Sequence, residues 1–272
     1  MRQTSVFLAI CLCASAAAAQ LRGPTSQILI PAAGALAGAN GTYFRSDITL
    51  TNFRGTDQRV QLQWIPNTPS STTPIPAPKY VTVPAYSEIA SEDFATEVME
   101  QTGLGAILVS GVTGTNDPDS GAQLYPTVRI WTSAPGFQPS GSVSQTLPVV
   151  AVAELDPAPH VLILGQHIDS RFRTNVGIVN LDSGYPRTFD IVQSTDDPTF
   201  APVQTTLTVP PMAMLQVPLQ NFSSKVLQIT ITPRVPPPTT APGPTNKWAA
   251  YGSTADNVTG DSWSTLAVPL LQ

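Results

Sequence analysis

Apolar and polar residues alternate with a period of two in short runs along the chain, and turn residues separate the runs. The clearest run is Phe44-Arg45-Ser46-Asp47-Ile48-Thr49-Leu50-Thr51-Asn52. Phe44, Ile48 and Leu50 share one face of an extended chain with Ser46 among them, and Arg45, Asp47, Thr49 and Thr51 share the other. The pattern returns 128 residues later (172 − 44) as Phe172-Arg173-Thr174-Asn175-Val176-Gly177-Ile178-Val179-Asn180. Each run predicts a strand of a half-solvated antiparallel sheet. A self-match at this distance predicts one fold unit used twice.

The flanking runs line up as well. Ile28-Leu29-Ile30 and Val161-Leu162-Ile163-Leu164 precede the nonamers. After them come Val60 to Ile65 and Phe189 to Val192, then Val81-Thr82-Val83-Pro84 and Leu207-Thr208-Val209-Pro210. Ala106 to Ser110 and Val226 to Ile231 follow, and then the aromatic runs Val128 to Trp131 and Trp248 to Tyr251. Each copy closes on an apolar, Pro-containing run, Thr146 to Val150 and Thr265 to Pro269. About seven strands per copy, with turn signals between them, predict an all-β chain of two tandem immunoglobulin-like antiparallel β-sandwiches over residues 27–152 and 153–272. One short helix is expected in the first, capped by Ser91 and running from Glu92 to Glu100. Residues 66–79 and 233–244 are rich in Pro, Thr and Ser and read as loops.

The N-terminus changes the picture of compartment. Arg2, the apolar run Val6 to Ala14 and the small residues Ser15 to Ala19 form a signal-peptide pattern over residues 1–19, with cleavage before Gln20 and a short tail over 20–26. Both cysteines, Cys11 and Cys13, leave with it. A secreted or periplasmic, cell-surface location is expected, without disulfides, thiolate metal sites or membrane insertion of the mature chain. Charged residues are 11% of the chain and the net charge is −5, with no basic cluster, which disfavours nucleic acid as a partner.

Little chemistry is visible. No G-x-S-x-G and no H-E-x-x-H occur, and the two histidines, His160 and His167, flank one predicted strand. Asn116, Asp117 and Asp119 cluster oxygen donors as a calcium loop would, and equally as an Asx-rich turn would. Asp256 and Asp261 bound a similar segment beside Trp263, a residue that can stack on a ligand ring. A pair among Glu88, Glu92, Asp93, Asp169, Asp196 and Asp197 would suffice for glycoside hydrolysis, although nothing in the sequence pairs them. Arg45 with Asp47, and Arg173 with Asn175, form either a ligand patch or cross-strand pairs that set register. Trp64, Trp131 and Trp248 are expected in the core or partly exposed. Asn52 and Asn180 fall on the core-facing phase at a strand end, where they are expected to bond the backbone of the next turn. Asn40, Asn221 and Asn257 begin N-x-[ST] sequons.

The repeated Phe-Arg-[ST]-[DN] strand ending in Asn, the preceding Gly38-Ala39-Asn40-Gly41-Thr42 and the late Tyr251…Asp256-Asn257-Val258-Thr259-Gly260-Asp261 resemble uncharacterised secreted bacterial proteins with tandem immunoglobulin-like β-sandwich repeats. The resemblance implies an extracytoplasmic, non-enzymatic module and no particular ligand or cofactor. The expected role is binding, adhesion or structure outside the cytoplasm, toward extracellular polysaccharide or a cell-surface protein. The alternatives are a carbohydrate-binding module, aromatic and calcium-assisted, and a glycoside hydrolase.

Overall fold

The computed structural model describes residues 23–38, 41–133, 141–155, 160–195, 197, 199–220, 224–234 and 247–270. The signal-peptide pattern, Asn40, Asp196 and Asn221 lie outside them. Among the described residues, no helix is long and apolar enough to cross a membrane.

The chain is all-β. The first half contains β1 (Gln27–Ala37), β2 (Tyr43–Asn52), β3 (Gln58–Pro66), β4 (Lys79–Val83), β5 (Glu88–Ser91), α1 (Phe94–Glu97), β6 (Gly103–Val112), β7 (Leu124–Ser133), β8 (Ser142–Thr146) and β9 (Val150–Ala151). The second contains β10 (Val161–Ile168), β11 (Phe172–Asn180), β12 (Arg187–Thr195), β13 (Val203–Val209), β14 (Ala213–Pro218), β15 (Ser224–Pro233), β16 (Trp248–Asp256), β17 (Ser262–Leu266) and β18 (Val268–Pro269).

The two halves pair their strands in the same order. In the first, antiparallel pairing runs β5-β2-β7-β8 and β4-β3-β6-β1-β9. In the second it runs β14-β11-β16-β17 and β13-β12-β15-β10-β18. The two nonamers are β2 and β11, inner strands of the four-stranded sheets. In the first half β1 also pairs with β2 at Leu36 and Phe44, which joins its two sheets along one edge.

Both opening strands bulge at the same place. The β1 ladder shifts register between Ile30 and Ala33, around Pro31, which has no N–H to donate. The β10 ladder shifts between Ile163 and Gln166, where Gly165 adopts φ +73°. Just beyond each bulge the nonamer's hydroxyl ties in. Ser46 Oγ donates to Gly34 O (3.1 Å) and accepts from Gly34 N (2.6 Å), and Thr174 Oγ1 donates to His167 O.

The nonamer's last residue works equally in both copies. Asn52 Nδ2 donates to Thr56 O, Val83 O and Pro84 O, and its Oδ1 accepts from Arg54 N. Asn180 Nδ2 donates to Tyr185 O, Val209 O and Pro210 O, and its Oδ1 accepts from Asp182 N. Each buried amide thus staples the turn after its own strand to the end of β4 or β13.

The helix is shorter than the capping pattern predicts. Ser91 is not its cap; it ends β5, its Oγ accepting from Asp93 N and donating to Glu97 Oε2. Asp93 caps a single turn by accepting from Thr96 N, and the chain leaves the helix before Glu100, which has φ +54°. Phe94, Ala95 and Met99 from this segment are buried in the first core.

The larger departure from the alternation concerns the outward phase of β11. Gly177 and Val179 are buried. Val179, Met214, Ala249 and Tyr251 join a core cluster with Leu29, Ile65, Ala106 and Val150 of the first half. The opposite faces of the same strands, with Val176, Ile178, Leu215 and Ala250, pack into the second half's own core beside Phe189, Ile191 and Ile229. The four-stranded sheet of the second half is therefore covered on both faces. Strands β11 and β16 lie against β1, β14 against β3 and β6, and β17 against β8. Among the described residues, five hydrogen bonds line this junction: Thr68 N to Met214 O (3.1 Å), Gln216 N to Asn67 Oδ1 (3.1 Å), Lys247 Nζ to Val152 O (2.6 Å), Ser253 Oγ to Gln145 Oε1 (3.2 Å) and Ser264 Oγ to Thr146 O (3.0 Å).

Candidate functional site

The matching face of the first half's four-stranded sheet is open. Alternation in β2 places Tyr43, Arg45, Asp47, Thr49 and Thr51 on it, and β7 adds Tyr125, Thr127, Arg129 and Trp131. Register sets Arg45 opposite Trp131 and Asp47 opposite Arg129. The Arg45 guanidinium lies 4.8 Å from the Tyr43 ring and 5.4 Å from the Trp131 ring, so it is held between two aromatic faces. It also pairs with Asp93 at 3.4 Å. Arg129 bonds Asp47 at 2.9 Å through one nitrogen and 3.1 Å through Nε, and its guanidinium lies 5.9 Å from Trp131. Trp131 Nε1 donates to Glu92 O at 2.9 Å, which fixes the indole on the surface. Tyr43 is 37% exposed and the Arg129 side chain 42%. The result is a shelf of two rings and two guanidiniums whose charges Asp47 and Asp93 balance.

Asp47 therefore bonds its cross-strand neighbour Arg129, as a register-setting pair does, while Arg45 lies against Trp131 across the ladder and pairs with Asp93 at the start of α1. In the second copy Arg173 bonds Asn257 Oδ1, in the turn after β16. The shelf's aromatic character was legible only in part: Tyr43 sits in phase with Arg45 and Asp47, and that phase was the available signal.

The other segments singled out by sequence use their polar atoms internally. Arg59 Nε donates to Asn116 Oδ1 (2.9 Å), Thr115 Oγ1 to Asp117 Oδ2 (2.7 Å), and Arg54 pairs with Asp119 at 2.6 Å. Burial opposes the charge of Asp119, but the Arg54 hydrogen bond and the Gly121 N–H together hold its carboxyl below the ordinary carboxylate value. Among the described residues, no three His, Cys, Asp or Glu side chains gather to hold a metal ion.

Around Asp256, Arg171 donates to Oδ2 at 2.8 and 2.5 Å, and Val258 N and Thr259 N donate to Oδ1. Arg171 holds the carboxyl far below its usual range against the opposing effect of desolvation. Trp263 packs edge-on against His167 (5.3 Å) and Phe172 (5.8 Å), with its Nε1 donating to Gly165 O. Asp261 lies exposed at the end of the same turn. This group closes the end of the second sandwich-like half around the Gly165 bulge.

His160 Nδ1 lies 2.8 Å from Thr232 Oγ1. Of the acids weighed for hydrolysis, Asp93 caps α1, Asp169 accepts from Arg171 N and Phe172 N, and Asp197 accepts from Thr199. Glu88 and Glu92 stand in and just after β5. Trp64 and Trp248 are buried and Trp131 is partly exposed.

No protein-family model matches the chain, and no curated protein matches it. A likeness to the crystal structure of Thermotoga maritima 1070 covers 42% of this chain and 95% of that one, at 14% identity and a TM-score of 0.33. At that level it carries no argument about fold or function.

Proposed function

We propose that the chain is a secreted, non-enzymatic protein of two tandem immunoglobulin-like β-sandwiches that binds an extracellular partner through the outer face of its first four-stranded sheet. One observation carries this reading. The same sheet face is used twice, and in the second half it is an interface already, covered by the first half. In the first half it stays open and carries the Tyr43-Arg45-Trp131 stack. Aromatic and arginine side chains are the residues that dominate binding surfaces.

The remaining free sheet face argues against further stacking of copies. The outer face of the second half's five-stranded sheet is polar: Arg234 bonds Asp190 (2.8 and 2.9 Å) and Thr206 (3.1 Å), and Thr188 bonds Thr208 (2.9 Å). Of the Leu29, Ile65 and Ala106 surface on which the second half sits, it keeps only one apolar counterpart among the described residues, Leu162, while Ser194 and Gln228 stand where Ile65 and Ala106 do. A polar end of this kind terminates a stack.

Polysaccharide is the ligand class that the two rings support. Tyr43 and Trp131 flank Arg45 on one side of one sheet, where their outer ring surfaces can meet a sugar and the neighbouring guanidinium and carboxylate groups its hydroxyls. A glycan array probed with residues 20–272, with and without chelator, tests this. Binding that survives chelation supports the aromatic shelf; binding that needs the divalent ion assigns recognition to the Asn116–Asp119 turn instead.

A further inference from the structure

The second half holds a cleft of about 230 Å³ between β12, the β13 edge and the end of β14. Ile191, Val217, Pro218 and Leu219 give it apolar walls, Thr205 stands exposed at its rim, and Gln193 lines it. Gln193 is 2% exposed, yet its Oε1 meets no hydrogen-bond donor among the described residues. A buried acceptor left without a donor is destabilising and uncommon, so its position calls for a partner.

The other half of the chain indicates what kind of partner. Gln58 and Arg187 open β3 and β12, and they pair with Val83 and Val209 just before Pro84 and Pro210. Counted from them, Gln193 stands where Trp64 stands in the first half. There the indole fills the end of the sandwich, 2% exposed, over the bare backbone of Gly105, where any Cβ would collide with the ring. Phe94 and Met99, from and just beyond α1, are buried in the same core cluster as this indole. In the second half an amide replaces the indole, Leu227 takes the place of Gly105, and β14 ends without a helix among the described residues.

We infer that this cleft binds a small, uncharged aromatic molecule of about the size of an indole or phenol, whose single N–H or O–H donates to Gln193 Oε1. Among the described residues no charged side chain lines the cleft, which suits a neutral ligand. The site is separate from the outer shelf and does not depend on it.

The test is a titration of residues 20–272 with indole, phenol and 1-methylindole, read by saturation-transfer NMR. Indole binds saturably in the millimolar range or tighter, and 1-methylindole, lacking the donor, binds about tenfold more weakly. Gln193→Leu removes that preference, and Thr205→Trp, at an exposed position that leaves folding intact, blocks the mouth and abolishes binding. N-acetyltryptophanamide carries the same ring on a backbone and binds more weakly than indole. Absence of saturable binding, binding unchanged by Thr205→Trp, a donor preference that survives Gln193→Leu, or tighter binding of N-acetyltryptophanamide would each overturn the assignment.

Discussion

Gly177 stands directly opposite Tyr251 across the β11–β16 ladder, and the tyrosine ring lies over the bare glycine so closely that a Cβ there would overlap it. Tyr251 Oη donates to Gln216 Oε1 at 2.6 Å, and the ring is buried in the junction between the halves. The corresponding position of the first nonamer is Thr49, on the open sheet face. The nonamers thus diverge where one copy meets a neighbour and the other meets solvent. Gly177→Ala is expected to destabilise the chain by about 1–3 kcal/mol through overpacking. Tyr251→Phe, which loses only the buried hydroxyl bond, is expected to cost about 1 kcal/mol. Tyr251→Ala removes the obstacle, so in a double-mutant cycle the two substitutions cost less together than their sum. Urea midpoints measure all four forms.

The paired asparagines make a second prediction. Asn52 and Asn180 each donate to three carbonyls and accept from one N–H in the same arrangement. Asn52→Ala and Asn180→Ala are each expected to cost about 2–3 kcal/mol, since each strands buried carbonyls. Asn→Asp at either site should be at least as damaging, because a carboxylate would face acceptors with no N–H to give. Amide hydrogen exchange should localise the loss to the turn after β2 or β11.

Stability should fall at both ends of the pH scale for identifiable reasons. Hydrogen bonds from Arg234 and then Thr206 hold Asp190 at about 2, below its ordinary 3.8, and Arg171 depresses Asp256 further. A carboxyl depressed by folding stabilises the native state above its unfolded value, and that contribution is lost as pH drops through the folded one. The acid limb therefore begins near 3.8 and continues past 2. Burial raises the Tyr251 phenol well above its ordinary 10.0. Its contribution is complete below 10 and is lost as pH climbs through the folded value. Chemical denaturation across pH should show Asp256→Asn flattening the acid limb and Tyr251→Phe flattening the alkaline one.

The all-β character was legible because period-two alternation survives wherever one sheet face meets a core, as in Phe189, Ile191 and Gln193 or Val60, Leu62 and Trp64. Strands β5 and β14 were not legible. Glu88–Ser91 is a four-residue edge strand with no fully buried residue, and its Ser91 reads as a helix cap. Ala213–Pro218 lies between prolines and presents apolar residues to two cores at once, which erases the alternation. The burial of Gly177 and Val179 was out of reach for the same reason: local pattern records a strand's own sandwich, not the second body against its other face. Of the candidate site, phase alone placed Arg45 and Asp47, while setting Trp131 opposite Arg45 required the β2–β7 register.

The most direct measurement compares the wild-type chain with a Tyr43→Ala/Trp131→Ala variant on the same glycan array, with thermal unfolding of both as the control. Both rings lie on a solvent-facing sheet surface, so the variant should unfold within a few degrees of the wild type. Loss of glycan binding in a variant that still folds is the predicted result. Undiminished binding by the variant, or no glycan bound by the wild type, would contradict the account.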